Sequence, residues 1–463
     1  MSGLAEDALP DDRARMVAFR LLQQVSLADA YANLALPKLL ADSGLDGRDA
    51  ALATELGYGT LRAQGTIDEI LRRCSSREPD DISDAVLDVL RLGAYQLLRT
   101  RIPTHAAVST SVDLARSSGQ SRAAGFVNAV LRKVAARDYE AWCRQITASA
   151  SELGQLAVRY SHPGWIVGAF QAALGDRGDE IADALAADDT RPQTHLVAWP
   201  GRIERAELLA EADGVAGPYS PFAVRLNRGD PGRIAAVRDR RAAVQDEGSQ
   251  LCALAMTQLP LEGPDERWLD LCAGPGGKAA LLAGLASIRG AQLSANELHS
   301  HRARLLAQAV QGWPVEVTVS DARELPSDDR GFDRILLDAP CTGLGALRRR
   351  PEARWRRQPE DVAELVQLQS ELLSAAVRLL RPGGVLAYVT CSPHPAETTE
   401  VIQAALATEP VELLDARASF ARSADADLGI GADTESGEPR TVQLWPHRHG
   451  TDAMFFAGLR RTN

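Results

Sequence analysis

Residues 269 to 278 read Leu269-Asp-Leu-Cys-Ala-Gly-Pro-Gly-Gly-Lys278 and follow the apolar residue Trp268. This pattern predicts a short strand, a tight glycine-rich turn and a helix that begins near Lys278. Glycine lets the backbone pass close to a ligand, and a helix N-terminus presents unpaired N–H groups to electron-rich atoms. The stretch therefore predicts an α/β domain that binds a nucleotide-like cofactor. The candidate cofactor-binding residues of the turn are Cys272, Ala273, Gly274, Pro275, Gly276, Gly277 and Lys278.

Two other nucleotide-binding motifs are similar to this turn. Gly274-x-Gly276-x-x-Ala279, with Glu297 about twenty residues further on, fits the dinucleotide fingerprint of dehydrogenases. The phosphate-binding P-loop does not fit, because Cys272 replaces its first glycine and Ala279 replaces its Ser or Thr. The turn alone leaves a dinucleotide and S-adenosylmethionine open and argues against a nucleoside triphosphate.

Three acidic residues that come after the turn in the sequence each follow an apolar run. Glu297, Asp321 and Asp338 each come at the carboxyl end of a predicted strand, which is where open parallel sheets bind ligands. Carboxylates suit the hydroxyls, exocyclic amine and sulfonium of S-adenosylmethionine and suit a pyrophosphate poorly. Each acid alone also fits the simpler role of a helix N-cap. The succession of three favours S-adenosylmethionine as the cofactor.

Cys341 and Cys391 differ from the other four cysteines of the chain. Each follows a predicted strand, in Asp338-Ala-Pro-Cys and Thr390-Cys-Ser-Pro, at the sheet edge where the cofactor is expected. The sequence has no Cys-x-x-Cys pair that would indicate zinc, and its polar N-terminus does not read as a secretory signal that would favour disulfides. The remaining role for Cys341 or Cys391 is that of a thiolate nucleophile. A nearby cation such as Lys278, or the arginines after Cys341, would help to lower the thiol pKa from about 8.5.

A thiolate suits methylation of cytosine at carbon 5. This carbon is too weakly nucleophilic to attack a sulfonium methyl group unaided. Thiolate addition to carbon 6 makes carbon 5 enamine-like, and a base then removes the carbon 5 proton before the thiol is expelled.

The motifs together resemble the RNA 5-methylcytosine methyltransferases, and most of all the ribosomal RNA small-subunit methyltransferase B family, also called Sun or Fmu. The stretches that carry this resemblance are 270–278, 338–345, 348–351 with Trp355, and 389–397. The resemblance implies that Cys391 is the nucleophile, that Cys341 helps to release the product, and that Asp338 lies near the cytosine. It further implies methylation of one cytidine in small-subunit (16S) ribosomal RNA. The same resemblance implies that the cofactor contacts residues 272–278, Glu297, Asp321 and Asp338.

Three positions depart from the usual pattern of that family. Gly274 stands where alanine is common, Ala279 stands where Thr or Ser is usual, and Glu297 stands where Asp is frequent. Glycine and alanine are compatible with a tight turn, and Glu can reach a diol as Asp does. None of these departures removes a catalytic atom.

An arginine-rich run, residues 348–357, follows the Asp-Ala-Pro-Cys motif and holds six arginines against one glutamate. Arginine pairs bidentately with phosphate and stacks on bases, so we expect this run to contact RNA. A solvated helix face is the simpler alternative. The predicted RNA-binding residues are Arg348, Arg349, Arg350 and Arg354.

Residues 12 to about 137 show the periodicity of amphipathic helices. The stretches 55–61, 92–97 and 125–133 resemble the antitermination factor NusB, an all-helical RNA-binding fold, although a helical scaffold without an RNA role stays open. We expect a multidomain protein with three parts. They are an all-α NusB-like RNA-binding domain (1–150), a connector helix with a small α/β domain (151–243), and an α/β Rossmann-like class I methyltransferase domain (244–463).

Composition is compatible with these expectations. The 463 residues suit about three domains, and the apolar runs are shorter than the ~18 residues of a membrane span. The net charge of −11 argues against a nucleic-acid partner until the local arginine run is considered. We expect a cytoplasmic monomer that acts on ribosomal RNA without a metal or a membrane. Transfer RNA or another RNA as substrate, and a ribosome assembly factor that acts mainly by binding RNA, stay open.

Overall fold

The computed structural model describes residues 12–28, 30–78, 81–328, 330–430 and 440–462. Residues 1–11, within the polar N-terminus considered above, lie outside this range. The chain forms two compact units. A helical unit comprises Met1–Arg191 with Leu347–Arg357, and an α/β unit comprises Pro192–Ala346 with Gln358–Asn463. The chain thus leaves the α/β unit after Ala346, contributes one short segment to the helical unit, and returns at Gln358.

The helical unit contains no strand among its described residues. Its helices are α1 (Arg13–Leu27), α2 (Ala32–Ser43), α3 (Gly47–Arg62), α4 (Gln64–Cys74), α5 (Asp84–Arg99), α6 (Thr104–Ser117), α7 (Ala124–Val134), α8 (Tyr139–Ile146), α9 (Glu152–Arg159), α10 (Gly164–Leu174), α11 (Ile181–Asp188) and α17 (Ala353–Arg356). The first helices bury one apolar stripe each in a common core, as Leu21, Leu56, Ile67 and Leu90 illustrate. This unit confirms the predicted all-α first part.

The α/β unit alternates strands and helices along most of its length. Its strands are β1 (His195–Ala198), β2 (Gly214–Ala216), β3 (Ala223–Leu226), β4 (Ala242–Val244), β5 (Arg267–Asp270), β6 (Gln292–Asn296), β7 (Val315–Thr318), β8 (Phe332–Asp338), β9 (Leu380–Thr390), β10 (Val411–Leu414), β11 (Val442–Gln443) and β12 (Phe455–Arg461). Its helices are α12 (Arg205–Glu211), α13 (Ala235–Arg238), α14 (Glu247–Thr257), α15 (Gly277–Arg289), α16 (Ser300–Ala309), α18 (Pro359–Leu379), α19 (Thr399–Thr408), α20 (Ala416–Ser423) and α21 (Pro446–His449). No helix within the described ranges combines the length and apolarity that a bilayer crossing requires.

The larger sheet has eight strands in the order β10-β12-β9-β8-β5-β6-β7, with β11 also paired to β12. Strands β5 to β9 run parallel to one another, and β12 pairs antiparallel with β9 and with β10. Adjacent residues of a central strand point into opposite cores: Leu336 packs with α14 and α15, while Leu337 packs with α18. A central strand of a parallel sheet is covered on both faces, which explains the consecutive apolar residues 335–337 of β8. The predicted Rossmann-like arrangement is confirmed.

A smaller antiparallel sheet, in the order β2-β3-β1-β4, belongs to the same α/β unit. Trp199, which follows β1, packs edge-on against Trp313 with ring centroids 5.6 Å apart. Gly284 of α15 lies so close to Pro200 that a Cβ there would come within 2.6 Å of the Pro200 carbonyl oxygen. The small sheet is therefore packed tightly onto the larger one.

The two units divide the chain differently from the three expected domains. Helices α9 to α11 group with the helical unit, and the small sheet groups with the larger sheet. The division at 150/151 and 243/244 stays a prediction.

Candidate active site

The carboxyl ends of four parallel strands meet at one edge of the larger sheet. β5 ends at Asp270, β6 is followed by Glu297, β8 ends at Asp338, and β9 is followed by Cys391. In this register Asp338 pairs with Val389. The strand order reverses between β5 and β8, and ligands of open α/β sheets bind at such a switch point. The topology therefore brings the predicted cofactor and cysteine motifs to the same edge.

The glycine-rich turn connects β5 to α15, as predicted. Gly276 has a φ of +116°, which favours glycine, and α15 begins at the next residue. A Cβ on Gly276 would lie 2.6 Å from the Cβ of Ala309, so the turn has no room for a side chain there. The seven predicted cofactor-binding residues 272–278 thus lie in one turn at the N-terminus of α15, where backbone N–H groups face a ligand.

Glu297 is buried and bound to the turn. Its Oε2 accepts a hydrogen bond from the Gly274 N–H at 3.1 Å, and its Oε1 accepts one from the His299 N–H at 2.9 Å. Arg302 binds the Gly274 carbonyl and lies 3.5 Å from the Glu297 carboxylate. A Cβ on Gly274 would overlap Glu297 Oε2. A side chain at 274 would therefore require the Glu297 carboxylate to shift from its position against the turn.

Asp338 forms an ion pair with Lys278. The Lys278 Nζ donates to Asp338 Oδ2 at 2.8 Å, and the two side chains are 10% and 32% exposed. Burial disfavours the charged lysine, but the Asp338 carboxylate outweighs this and raises the pKa of Lys278. Lys278 therefore stays an ammonium group at neutral pH, while Asp338 remains accessible from solvent.

Asp270 has no role in the sequence-based prediction, although it ends β5. It is buried, and neither carboxyl oxygen has a hydrogen-bond partner among the described residues. Burial and the neighbouring Asp338 raise the pKa of Asp270 to about 8, against the opposing effect of Lys278. Its position at a strand end is the sequence signal that could have identified it.

Asp321 is held by a local arginine. It accepts from the Arg323 N–H at 3.0 Å, which caps a short 3-10 turn, and its carboxylate lies 2.6 Å from the Arg323 guanidinium. The hydrogen bonds from Arg323 lower the pKa of Asp321. The alternative capping role thus holds for this acid, and a cofactor role for its carboxylate stays a prediction.

The two singled-out cysteines lie side by side. Their sulfur atoms are 3.4 Å apart, and both residues are partly exposed. The hydrogen bond with Cys391, together with burial and the Glu397 carboxylate, holds the pKa of the Cys341 thiol well above its ordinary value. Cys74, Cys143 and Cys252 are buried, as their helical positions indicate. Within the described part of the chain, no cluster of His, Cys, Asp and Glu could hold a metal ion.

Glu397 is a second buried acid without a predicted role. Its carboxylate accepts hydrogen bonds from the Thr342 N–H at 2.7 Å and the Ser392 hydroxyl at 2.6 Å. Thr342 follows Cys341, and Ser392 follows Cys391. The sequence shows Glu397 in the same motif as Cys391 but contains no local sign of these contacts, which depend on the packing of two loops.

The arginine run lies in the helical unit. Arg354 is fully buried, and Arg348 is 4% exposed. The Arg354 guanidinium donates to carbonyl groups and to the Asp189 carboxylate at 2.9 Å. Because burial removes both side chains from the surface, we do not retain Arg348 and Arg354 as RNA contacts. Arg349 is half-buried, and Arg350 is exposed and lies over the ring of Tyr31.

Comparison with known proteins assigns a family to both parts of the chain. Residues 257–460 match the family model "16S rRNA methyltransferase RsmB/F", and residues 12–136 match the NusB family. These matches confirm the resemblance seen in the sequence motifs.

Individual relatives extend over nearly the whole chain. Rv1407 of Mycobacterium tuberculosis (strain ATCC 25618 / H37Rv) is 55% identical over 454 residues, which cover 98% of this chain and 97% of the relative. The ribosomal RNA small subunit methyltransferase B of Klebsiella pneumoniae (strain 342) is 34% identical over 406 residues, which cover 86% and 90%. The crystal structure of PH0851 shares the fold with a TM-score of 0.78 at 23% identity, over 99% of this chain and 100% of that one. The chain belongs to the RsmB/F family of RNA methyltransferases and carries a NusB-family domain at its N-terminal side.

Proposed function

We propose that this protein methylates carbon 5 of one cytidine in 16S ribosomal RNA through a covalent cysteine adduct, with S-adenosylmethionine as the methyl donor. The observation that carries the proposal is the 3.4 Å separation of the Cys341 and Cys391 sulfur atoms at the switch point of the sheet. Two thiols so placed can act on the same pyrimidine ring. The family and its named rRNA methyltransferase relatives support RNA as the substrate class.

The residues at the strand ends fit S-adenosylmethionine, which supplies an electrophilic methyl group when bound. The two carboxyl oxygens of Asp270 lack partners and suit the ammonium group of the cofactor. Glu297 lies against the glycine-rich turn and suits the ribose hydroxyls. Asp338 is a partly exposed carboxylate paired with Lys278 of the turn, and we assign it contacts with both the cofactor and the cytosine.

The electrostatics favour different roles for the two thiols. The raised pKa of Cys341 keeps this thiol protonated at neutral pH, which suits donation of a hydrogen bond to the Cys391 sulfur as it leaves carbon 6. The Lys278 ammonium is attracted to a Cys391 thiolate, which favours Cys391 as the nucleophile. The Cys391 thiolate forms a bond to carbon 6, and carbon 5 takes the methyl group as the methyl–sulfur bond of the donor breaks and S-adenosylhomocysteine leaves. Loss of the carbon 5 proton to a base then breaks the carbon–sulfur bond and restores the free thiolate.

Tritium transfer from labelled S-adenosylmethionine to protein-free small-subunit rRNA, followed by nucleoside analysis, tests this proposal. We expect 5-methylcytidine with the wild type, none with Cys391→Ala, and a trapped protein–RNA adduct with Cys341→Ala. Full activity of Cys391→Ala would overturn the mechanism. Labelling confined to transfer RNA would instead change the substrate.

RNA contacts in the helical unit form a separate part of the proposal. The NusB-family match supports RNA binding by this unit. Within the arginine run, Arg350 presents an exposed guanidinium, and the half-buried Arg349 lies beside it. We assign phosphate contacts to these two residues.

A further inference from the structure

The Glu397 carboxylate links the two cysteine-bearing loops directly. Glu397 is 0% exposed and ends a short 3-10 turn that follows Cys391. Besides the Thr342 N–H and the Ser392 hydroxyl, it accepts hydrogen bonds from the Thr342 hydroxyl and from Gln369 Nε2 at 3.2 Å. A buried carboxylate is costly unless it is hydrogen-bonded, so these four donors hold it in one position. One side chain therefore connects the residue after Cys341 with the residue after Cys391.

A second layer of hydrogen bonds reaches the residues that precede each cysteine motif. Gln369 of α18 also donates to the Pro340 carbonyl at 2.9 Å. The Tyr388 hydroxyl lies within hydrogen-bonding distance of the Glu397 carbonyl oxygen, at 2.9 Å, and of Gln369 Oε1, at 3.2 Å. Gln369 and Tyr388 are fully buried. Both loops are thus bound on either side of their cysteines, and all these bonds converge on Glu397 and Gln369.

Close backbone packing adds a further constraint. The Gly345 N–H donates to the Cys391 carbonyl at 2.8 Å, and the Gly345 carbonyl accepts from the Ala453 N–H at 2.9 Å. A Cβ on Gly345 would overlap the Ala453 carbonyl oxygen. The loop that carries Cys341 can therefore shift little relative to Cys391 while the Glu397 bonds are intact.

We propose that Glu397 is a positioning residue that sets the separation of the Cys341 and Cys391 sulfur atoms by binding both of their loops. This inference rests on the proposed function for its catalytic meaning. Both thiols must meet the same ring, and a misplacement of about 1 Å can reduce a rate by on the order of a hundredfold. A merely structural Glu397 would contribute to stability without changing the distance between the sulfur atoms.

The rate at which diamide oxidises Cys341 and Cys391 to a disulfide depends on the separation of their sulfur atoms. This rate can be measured in the full-length protein without RNA or cofactor. The two thiols lose two protons and two electrons to diamide and form one S–S bond, which peptide mapping by mass spectrometry quantifies. We expect Glu397→Ala to slow formation of the Cys341–Cys391 disulfide by about tenfold or more, and Glu397→Gln to have a smaller effect. Glu400→Gln is the matched control, because Glu400 is exposed and close in sequence. Wild-type rates in folded Glu397→Ala would overturn the inference.

Milder variants keep the inference testable if Glu397→Ala does not fold. Ser392→Ala and Thr342→Val each remove one hydroxyl donor to Glu397. We expect each variant to form the disulfide more slowly than the wild type and to have a lower kcat of methyl transfer, with an unchanged KM for the cofactor. Wild-type values of kcat and of the disulfide rate in both variants would contradict the positioning role of Glu397. A wild type that forms the disulfide but methylates no cytidine would overturn the proposed function and not the positioning of the sulfur atoms.

Discussion

Lys278 and Arg354 are both largely buried cations, but the protein satisfies them in different ways. Lys278 donates to one carboxylate, Asp338, at the carboxyl ends of the strands. Arg354 lies in the helical unit and donates to five acceptors at 2.9 to 3.3 Å. These acceptors are the carbonyl groups of Arg62, Tyr160, Ser161 and Asp188 and the carboxylate of Asp189.

The acceptors of a buried cation decide whether a ligand can still reach it. The planar guanidinium of Arg354 meets acceptors that surround it, so packing occupies both of its terminal nitrogens. The Lys278 ammonium has three donors, and its partner Asp338 is 32% exposed. A ligand can therefore reach the Lys278–Asp338 pair, whereas Arg354 holds backbone segments together.

The largest expected effect follows from removing the Lys278 charge. Lys278→Met leaves Asp338 and Cys391 without their neighbouring cation, and we expect methyl transfer to fall by about a hundredfold or more. Lys38→Met, at an exposed lysine of α2, is the control and should retain the wild-type rate. Single-turnover methylation measures both. Equal rates for Lys278→Met and the wild type would mean that Lys278 has no role in methyl transfer.

Arg354→Met should act on stability instead. It removes the guanidinium that binds the Asp189 carboxylate and four carbonyl groups, so we expect the free energy of unfolding of the helical unit to fall by about 3 kcal/mol. Urea unfolding followed by circular dichroism measures the change. The exposed Arg350→Met should stay within about 0.5 kcal/mol of the wild type. If Arg354→Met lost methyl transfer at unchanged stability, Arg354 would act in the reaction, as expected for Lys278, and not in packing.

The pH dependence of stability tests the buried acid beside Lys278. The pKa of Asp270 is raised to about 8, so the folded protein holds a proton that the unfolded chain has released. The stability contributed by this group is present below about pH 4 and is lost as the pH rises toward about 8. Asp270→Asn removes this loss.

We therefore expect the stability of Asp270→Asn relative to the wild type to increase by at least about 1 kcal/mol between about pH 5 and pH 8. Urea titrations at both pH values measure it. Asp328→Asn is the control, because hydrogen bonds from Arg267 lower the pKa of Asp328 to about 2, outside this window. A pH-independent difference for Asp270→Asn would mean that Asp270 is ionised in the folded protein.

The smallest expected effect concerns an arginine that packing leaves exposed. Arg350→Met should weaken RNA binding by severalfold and reduce the slope of log affinity against log salt by about one. Filter binding at several salt concentrations measures both values. Arg116→Met, at an exposed arginine paired with Asp113 on α6, should change neither. Equal losses for the two variants would indicate a general effect of charge rather than a contact at Arg350.

The fold of the site could be predicted from local sequence, because turn residues and apolar runs depend only on residues close together in the chain. Glycine at 276 indicates a backbone that only glycine adopts readily, and the apolar run 335–337 indicates a strand buried on both faces. Cys341 and Cys391 follow strands, and parallel strands bring their carboxyl ends to one edge, so their proximity also followed from the pattern.

Tertiary packing alone decided which charged residues are exposed and which are buried. The arginines of residues 348–357 look alike in sequence, yet Arg354 is enclosed by acceptors from distant segments while Arg350 is exposed. Glu397 became recognisable only through its surroundings, which supply four hydrogen-bond donors from two loops and a helix. Burial and hydrogen bonding depend on residues far away in the chain, whereas periodicity and turn chemistry depend on neighbours.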